Sequence, residues 1–144
     1  MPNERPSISA LPTAQCTPVV RTDFSDQEAW ENVCRAIESP NGQGFVANVD
    51  FIDDTACRSL TAEELVALVP EDYEHPLLVV VDGVALSSDE MPLLCIDLWE
   101  ERGRTIRVIA REFWGIENNL TLSNMYFDDF AESVDDDGVF RDFR

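Results

Sequence analysis

The stretch "HPLLVVVD", residues 75 to 82, constrains the fold more than any other part of this chain. Five aliphatic residues, Leu77 to Val81, follow one another with no polar residue between them. The run is too short to span a membrane and shows no helical period. A strand sends successive side chains to opposite faces, so both faces of this one must be covered. The expectation is an inner strand of a sheet with other elements packed on either side.

The flanking sequence agrees. "TPVVRTDF" reads as a short strand led by Val19 and Val20. Behind it, Ser25 and Glu28 stand at capping-box spacing. Trp30, Val33, Cys34 and Ile37 then recur on one helical face, and "SPNGQG" ends the helix. "FVANVDFID", residues 45 to 53, alternates as a strand, with Phe45, Ala47, Val49 and Phe51 on one side. "LTAEELVALVP" repeats the capping box with Thr61 and Glu64 and stops at Pro70. "PLLCIDLWEERGRTIRVIA" reads as two strands about a turn at Gly103, with Asp97 expected to face Arg107 across it.

"AREFWGIENN" reads as a short helix loosened at Gly115. Phe127, Phe130, Ala131 and Val134 form one face of a second, with Asn124 as its expected N-cap. "DDDG" ends that helix against the macrodipole, and "VFRDF" reads as a last short strand or docked tail. The predicted class is α/β (or α+β), in βαβαβββαα order: a single mixed sheet of about five strands with helices packed on it. Residues 1–16, rich in Pro, Ser and Thr, read as a flexible N-terminal arm, and 17–144 as one globular domain.

Charge limits the partners. The chain carries 29 acidic residues against 10 basic ones, a net charge of −19. Such a surface repels phosphate, which argues against nucleic acid and anionic membranes and favours a protein with a basic face. Every basic residue is Arg, so neither a Schiff-base lysine nor a P-loop lysine exists. Cys16, Cys34, Cys57 and Cys95 form no C-x-x-C pair, and His75 is the sole histidine, so the usual zinc spacings are missing. No phosphate-cradling glycine motif and no G-x-S-x-G occurs. No cofactor, metal or catalytic residue is predicted. The start, "MPNERPSISALPTA", lacks the apolar segment of a leader, and a cytoplasmic, reduced setting is expected.

Taken together, "VVRTDFSDQEAW", "ANVDFIDD", "LTAEELVALVP", "PLLCIDLWEERGRTIRVI" and "ENNLTLSNMYFDDFAESVDDDGVFR" resemble a family of small acidic actinobacterial proteins known only as a domain of unknown function. The resemblance spans residues 17 to 142 and implies a bacterial cytoplasmic setting, with no activity, cofactor or catalytic residue attached. In charge and layout alone the chain is also similar to barstar-type immunity proteins, which cover a basic nuclease with carboxylates.

Two groups of residues stand out as candidates. Asp23 and Asp26 follow the first strand, Asp50, Asp53 and Asp54 the second, and Asp82 the third. If those strands are parallel neighbours, the carboxylates meet on one rim, where open α/β sheets bind ligands. The same residues also suit plain turn and cap chemistry. The second group is "REFWGIENNLTLSNMYFDDF", where Trp114 and Asn119 combine aromatic surface with amides near an acidic segment. Helix-end chemistry explains the amides equally well. The predicted binding residues are Asp23, Asp26, Asp53, Asp54, Trp114 and Asn119. The expected function is a non-catalytic acidic binding module for a basic protein, as an adaptor or an immunity-type inhibitor. The alternative is a small enzyme or small-molecule-binding protein with a carboxylate-lined pocket, for example in secondary metabolism.

Overall fold

A computed structural model describes residues 10–12, 14–41 and 43–143. The elements in chain order are β1 (Thr17–Arg21), α1 (Gln27–Glu38), β2 (Val49–Ile52), α2 (Ala62–Ala67), β3 (Leu77–Val81), α3 (Gly83–Ser87), β4 (Pro92–Asp97), β5 (Thr105–Ile109), α4 (Phe113–Thr121), α5 (Phe127–Ala131) and β6 (Val139–Phe140). The strands form one mixed sheet in the order β2-β1-β3-β4-β5-β6. Parallel pairs join β1 to β2 and β3, and β5 to β6; β3, β4 and β5 pair antiparallel. This is the predicted α/β class with one strand more than expected. No helix among the described residues is long and apolar enough to cross a membrane.

The aliphatic run behaves as its sequence requires. Leu77, Val79 and Val81 point into a core with α1, α3, α4 and α5, where Trp30, Val33, Phe113, Ile116, Phe127 and Phe130 meet them. Leu78 and Val80 point into a second core under α2, with Leu65, Val69 and Ile96. Each such side chain contributes about 1.5–3 kcal/mol by leaving water. The expected arm divides. Residues 1–9 lie outside the described residues, but Leu11 is buried in the second core and its N–H donates to Leu68 O at 2.8 Å. The Tyr73 hydroxyl reaches Pro12 O at 2.7 Å.

Several local expectations are corrected. Asp26, not Ser25, caps α1 by accepting from Ala29 N–H, because Ser25 closes a turn on Asp23. Thr61 and Glu64 do form the reciprocal box at α2. β2 begins at Val49, so Phe45 to Asn48 lie outside the ladder. Asp97 pairs with Leu77 and Arg107 with Leu94, so the two do not face each other. Tyr126, not Asn124, stands at the N-cap of α5, where Asp129 accepts its N–H. α4 runs through Gly115 without a break.

One buried carboxyl group joins distant parts of the chain. Glu117 on α4 accepts from the Thr17 hydroxyl (2.9 Å) and the Thr121 hydroxyl (3.0 Å) at one oxygen. At the other it accepts from Asn48 N–H (2.8 Å) and the Asn118 amide (3.1 Å). Glu117→Ala leaves these donors unpaired and is expected to cost about 3 kcal/mol. Glu117→Gln is expected to cost about 1 kcal/mol, because the two threonine hydroxyls can reverse and accept from the new amide. Urea unfolding of both variants checks this, and equal losses would remove the network from the account.

Candidate functional site

The parallel order β2-β1-β3 brings three carboxyl ends side by side, with Val20 opposite Ile52 and Arg21 opposite Val81. The residues that follow each strand therefore share one rim: Asp23 after β1, Asp53 and Asp54 after β2, Asp82 after β3. Asp50 lines a separate hollow with Asp53 and Asp54 and does not reach the cleft at Asp23. It pairs with Pro18 earlier in the ladder, and its carboxylate accepts from Gln15 and Cys16 N–H, both at 2.9 Å.

An open cleft of about 470 Å³ lies at this rim, walled by Asp23, Ser25, Arg58, Ser59, Asp82 and Gly83. Asp23 Oδ1 accepts from the Ser25 hydroxyl at 2.6 Å and its N–H at 2.8 Å. Those two bonds hold the Asp23 carboxyl below its usual range, against a smaller opposing effect of burial. A Cβ at position 83 would stand 2.8 Å from Asp23 Oδ2, so the wall at this point admits only glycine without a shift. Ser59 takes a left-handed φ of 62°, and its N–H donates to Thr22 O. Asp26 and Asp54 are exposed and accept from Ala29 and Ala56 N–H, so each serves as a cap while its charge faces water.

A buried cation lies under the rim, which the sequence reading missed. Arg21 is 3% exposed. Its guanidinium lies over the rings of Phe24 (4.4 Å) and Trp30 (5.1 Å). It donates to Asp23 O, the Gln27 amide oxygen and Asp53 Oδ1 at 3.1, 2.9 and 3.2 Å. The signal was there: an arginine ending an apolar strand needs a carboxylate nearby. Asp53 is thus partly committed to Arg21, whereas Asp26 and Asp54 have no ion pair with any described residue.

Trp114 and Asn119 do not join this rim. Trp114 stacks on Phe45 with centroids 5.4 Å apart and rings 9° from parallel. It walls a separate hollow of about 390 Å³ with Ile37, Met91, Ile109 and Glu90. Asn119 donates to Gly115 O at 2.8 Å, and its backbone carbonyl accepts from Asn124 and Met125 N–H. It closes the end of α4. Glu117, two residues earlier, bonds Thr17 at the start of β1, the opposite end of that strand from Asp23.

The remaining reactive groups are quiet. Burial, with help from Glu38 and Asp53, pushes the Cys34 thiol up to about 11. Burial also raises Cys57 and Cys95. Little thiolate forms on such groups at neutral pH. His75 Nε2 lies 2.8 Å from Ala14 O, and its ring packs edge-on to Tyr73.

Asp82 carries the strongest fixed interaction at the rim. Arg107 donates to both its oxygens, at 2.9 and 2.8 Å, and Ala85 N–H adds a third bond. Burial raises the proton affinity of Asp82, but the Arg107 and Ala85 bonds outweigh it and hold the carboxyl below its usual range. Its contribution to stability is therefore present above the unfolded value, about pH 4, and lost as pH falls through the lower folded value. Asp82→Asn is expected to cost about 2 kcal/mol at neutral pH. The gap to wild type should narrow at about pH 3. Urea unfolding at both pH values checks this; a gap indifferent to pH would discount the ion pair.

No curated protein matches the chain. The family model described as a domain of unknown function (DUF6924) covers residues 16–143, nearly all of the sequence and all of its strands. The chain belongs to that family.

Proposed function

We propose that this protein is a non-catalytic acidic binding module that engages a basic protein partner, as an adaptor or inhibitor. The observation that carries this reading is the alignment of three parallel strand ends, which sets Asp23, Asp53 and Asp54 on one edge, with Asp26 following β1 as the cap of α1. Turn and cap bonds orient the carboxylates of Asp23, Asp26 and Asp54, and Arg21 holds that of Asp53, so little side-chain freedom remains to be lost on binding. The net charge of −19 steers a cationic partner towards the protein, and a rim of oriented carboxylates fixes where it docks. Arg58 at the cleft wall would pair with an acidic group of that partner.

The hollow beside Trp114 favours a second reading, a small-molecule-binding protein or small enzyme. Its size lies within the roughly 300–1,000 Å³ of ligand sites, and its walls combine Ile37, Met91 and Ile109 with Glu90 and Arg111. A ligand seated there would raise the Tm of the wild type and not that of Trp114→Ala.

The two readings separate in a salt-elution experiment. Asn replaces Asp at a helix cap or an Asx turn with little loss, so D23N/D26N/D54N removes rim charge and keeps the fold. E71Q/E132Q/D136N removes the same charge from other exposed parts of the chain. Immobilised wild type should retain a basic protein from lysate of the source organism until moderate salt. The rim variant should bind it about tenfold more weakly, and the control variant as wild type does. Equal weakening by both variants would reduce the rim to bulk charge, and retention of no basic protein would overturn the binding-module reading.

A further inference from the structure

A second surface feature lies away from the acidic rim. The turn after β4 and the segment before α5 enclose a cleft of about 220 Å³. Trp99 and Tyr126 stand on its sides, 53% and 61% exposed, although both are large aromatics. Met125, Leu120 and Phe127 add apolar lining, and Glu100 completes the wall. The volume falls below the roughly 300–1,000 Å³ of drug-sized ligand sites and suits a single long side chain.

The wall is built in advance. Asp97 is 2% exposed, and its carboxylate accepts from Trp99, Glu100 and Glu101 N–H at 2.9, 3.1 and 2.8 Å. Gly103 closes the same turn at a φ of 96°, donating to Asp97 O. Trp99 and Glu100 are thus presented on a backbone already fixed, which lowers the entropy lost on binding.

The chain uses the same chemistry on its own arginines. Arg21 lies over Phe24 and Trp30 beside Asp53. Arg104 lies over Phe127, at the edge of this cleft, beside Asp128 at 2.7 Å. In each case a guanidinium rests on an aromatic face with a carboxylate at its fork. Trp99, Tyr126 and Glu100 offer the same set, and Glu100 makes no ion pair with a described residue.

We propose that the Trp99–Tyr126 cleft seats an arginine side chain of a basic protein partner, its guanidinium against the aromatic rings and its charge facing Glu100. This rests on the binding-module reading and supplies the partner's anchor, a role that exposed Trp and Tyr beside charge often fill at interfaces.

The test uses a short glycine–arginine peptide and its citrulline counterpart, which keeps the shape and lacks the charge. The arginine peptide should shift the indole N–H signal of Trp99 saturably in NMR spectra and leave that of buried Trp30 unmoved. The citrulline peptide should bind at least about tenfold more weakly, and so should the arginine peptide to Trp99→Ala. Glu100→Gln should weaken binding by about threefold. Trp99 lies on an exposed turn, so the variant keeps its core; a matching amide spectrum confirms that. If Trp99→Ala binds like wild type while D23N/D26N/D54N binds more weakly, the cleft proposal is overturned and the acidic rim stands. If neither peptide binds saturably and no basic protein is retained from lysate, both fall together.

Discussion

The hydrogen bonds of Glu117 decide how the two ends of the sheet are arranged. Its carboxyl group ties α4 to Thr17, the first residue of β1, and to the backbone of Asn48, just before β2. β2 is an edge strand with β1 as its sole neighbour, and their register starts at Thr17 opposite Val49. A slip of one residue there would turn Ile52 out of its core and carry Asp53 and Asp54 away from Asp23. Burying a carboxyl group among neutral donors costs several kcal/mol unless its lone pairs are satisfied, and here all four bonds are made. The position of the rim therefore depends on a residue at the far end of the strands.

Arginine handles the acid surplus from within. Arg107 grips Asp82 with both nitrogens, and Arg141 grips Glu90 and Asp137 in the same way while also reaching Asp135. Those carboxylates hold the Arg141 proton still more firmly than usual. α5 ends at Ala131, so Asp135 and Asp137 lie beyond the helix end expected at "DDDG" and outside the reach of its dipole, and one guanidinium gathers both. A lysine could satisfy the charge at these points but not the paired geometry. The absence of lysine thus fits the structure as well as the composition.

What could be read from the sequence was local. The β3 run, the Thr61–Glu64 box and the Trp30–Ile37 face each follow from a period or cap spacing within a few residues, and each forms as expected. α3 was missed because five residues span little more than one turn, too few for a period; its one signal was Asp82, which caps it through Ala85 N–H. β6 is not legible in "VFRDF" alone, because two residues paired parallel with β5 gain their identity from a partner about thirty positions away. Asp97 and Arg107 failed for a similar reason, since hairpin register depends on the turn, and Asp97 directs its carboxylate into that turn. At the site, the meeting of the aspartates followed from topology. Arg21 did not, because a buried ion pair leaves no periodic trace. Asn119 and Asn124 were ambiguous from the outset, and the structure gives Asn119 the role of closing a helix.

The rim and the aromatic cleft occupy opposite ends of the sheet. Asp82 follows β3, whereas Pro76, in the cleft wall, precedes it. At about 3.3 Å per residue, the six steps from Pro76 to Asp82 set the two roughly 20 Å apart along the strand. A standard protein interface covers about 800 Å² on each partner, wide enough to touch both. The two features would then do different work for the proposed partner. Exposed carboxylates act at long range and govern how fast a cationic surface arrives, an effect that salt screens within about 10 Å. A guanidinium seated between Trp99 and Tyr126 is shielded from salt and governs how slowly it leaves. Sites this far apart, with no shared contacts, contribute additively to affinity, so salt alone would weaken the complex without abolishing it.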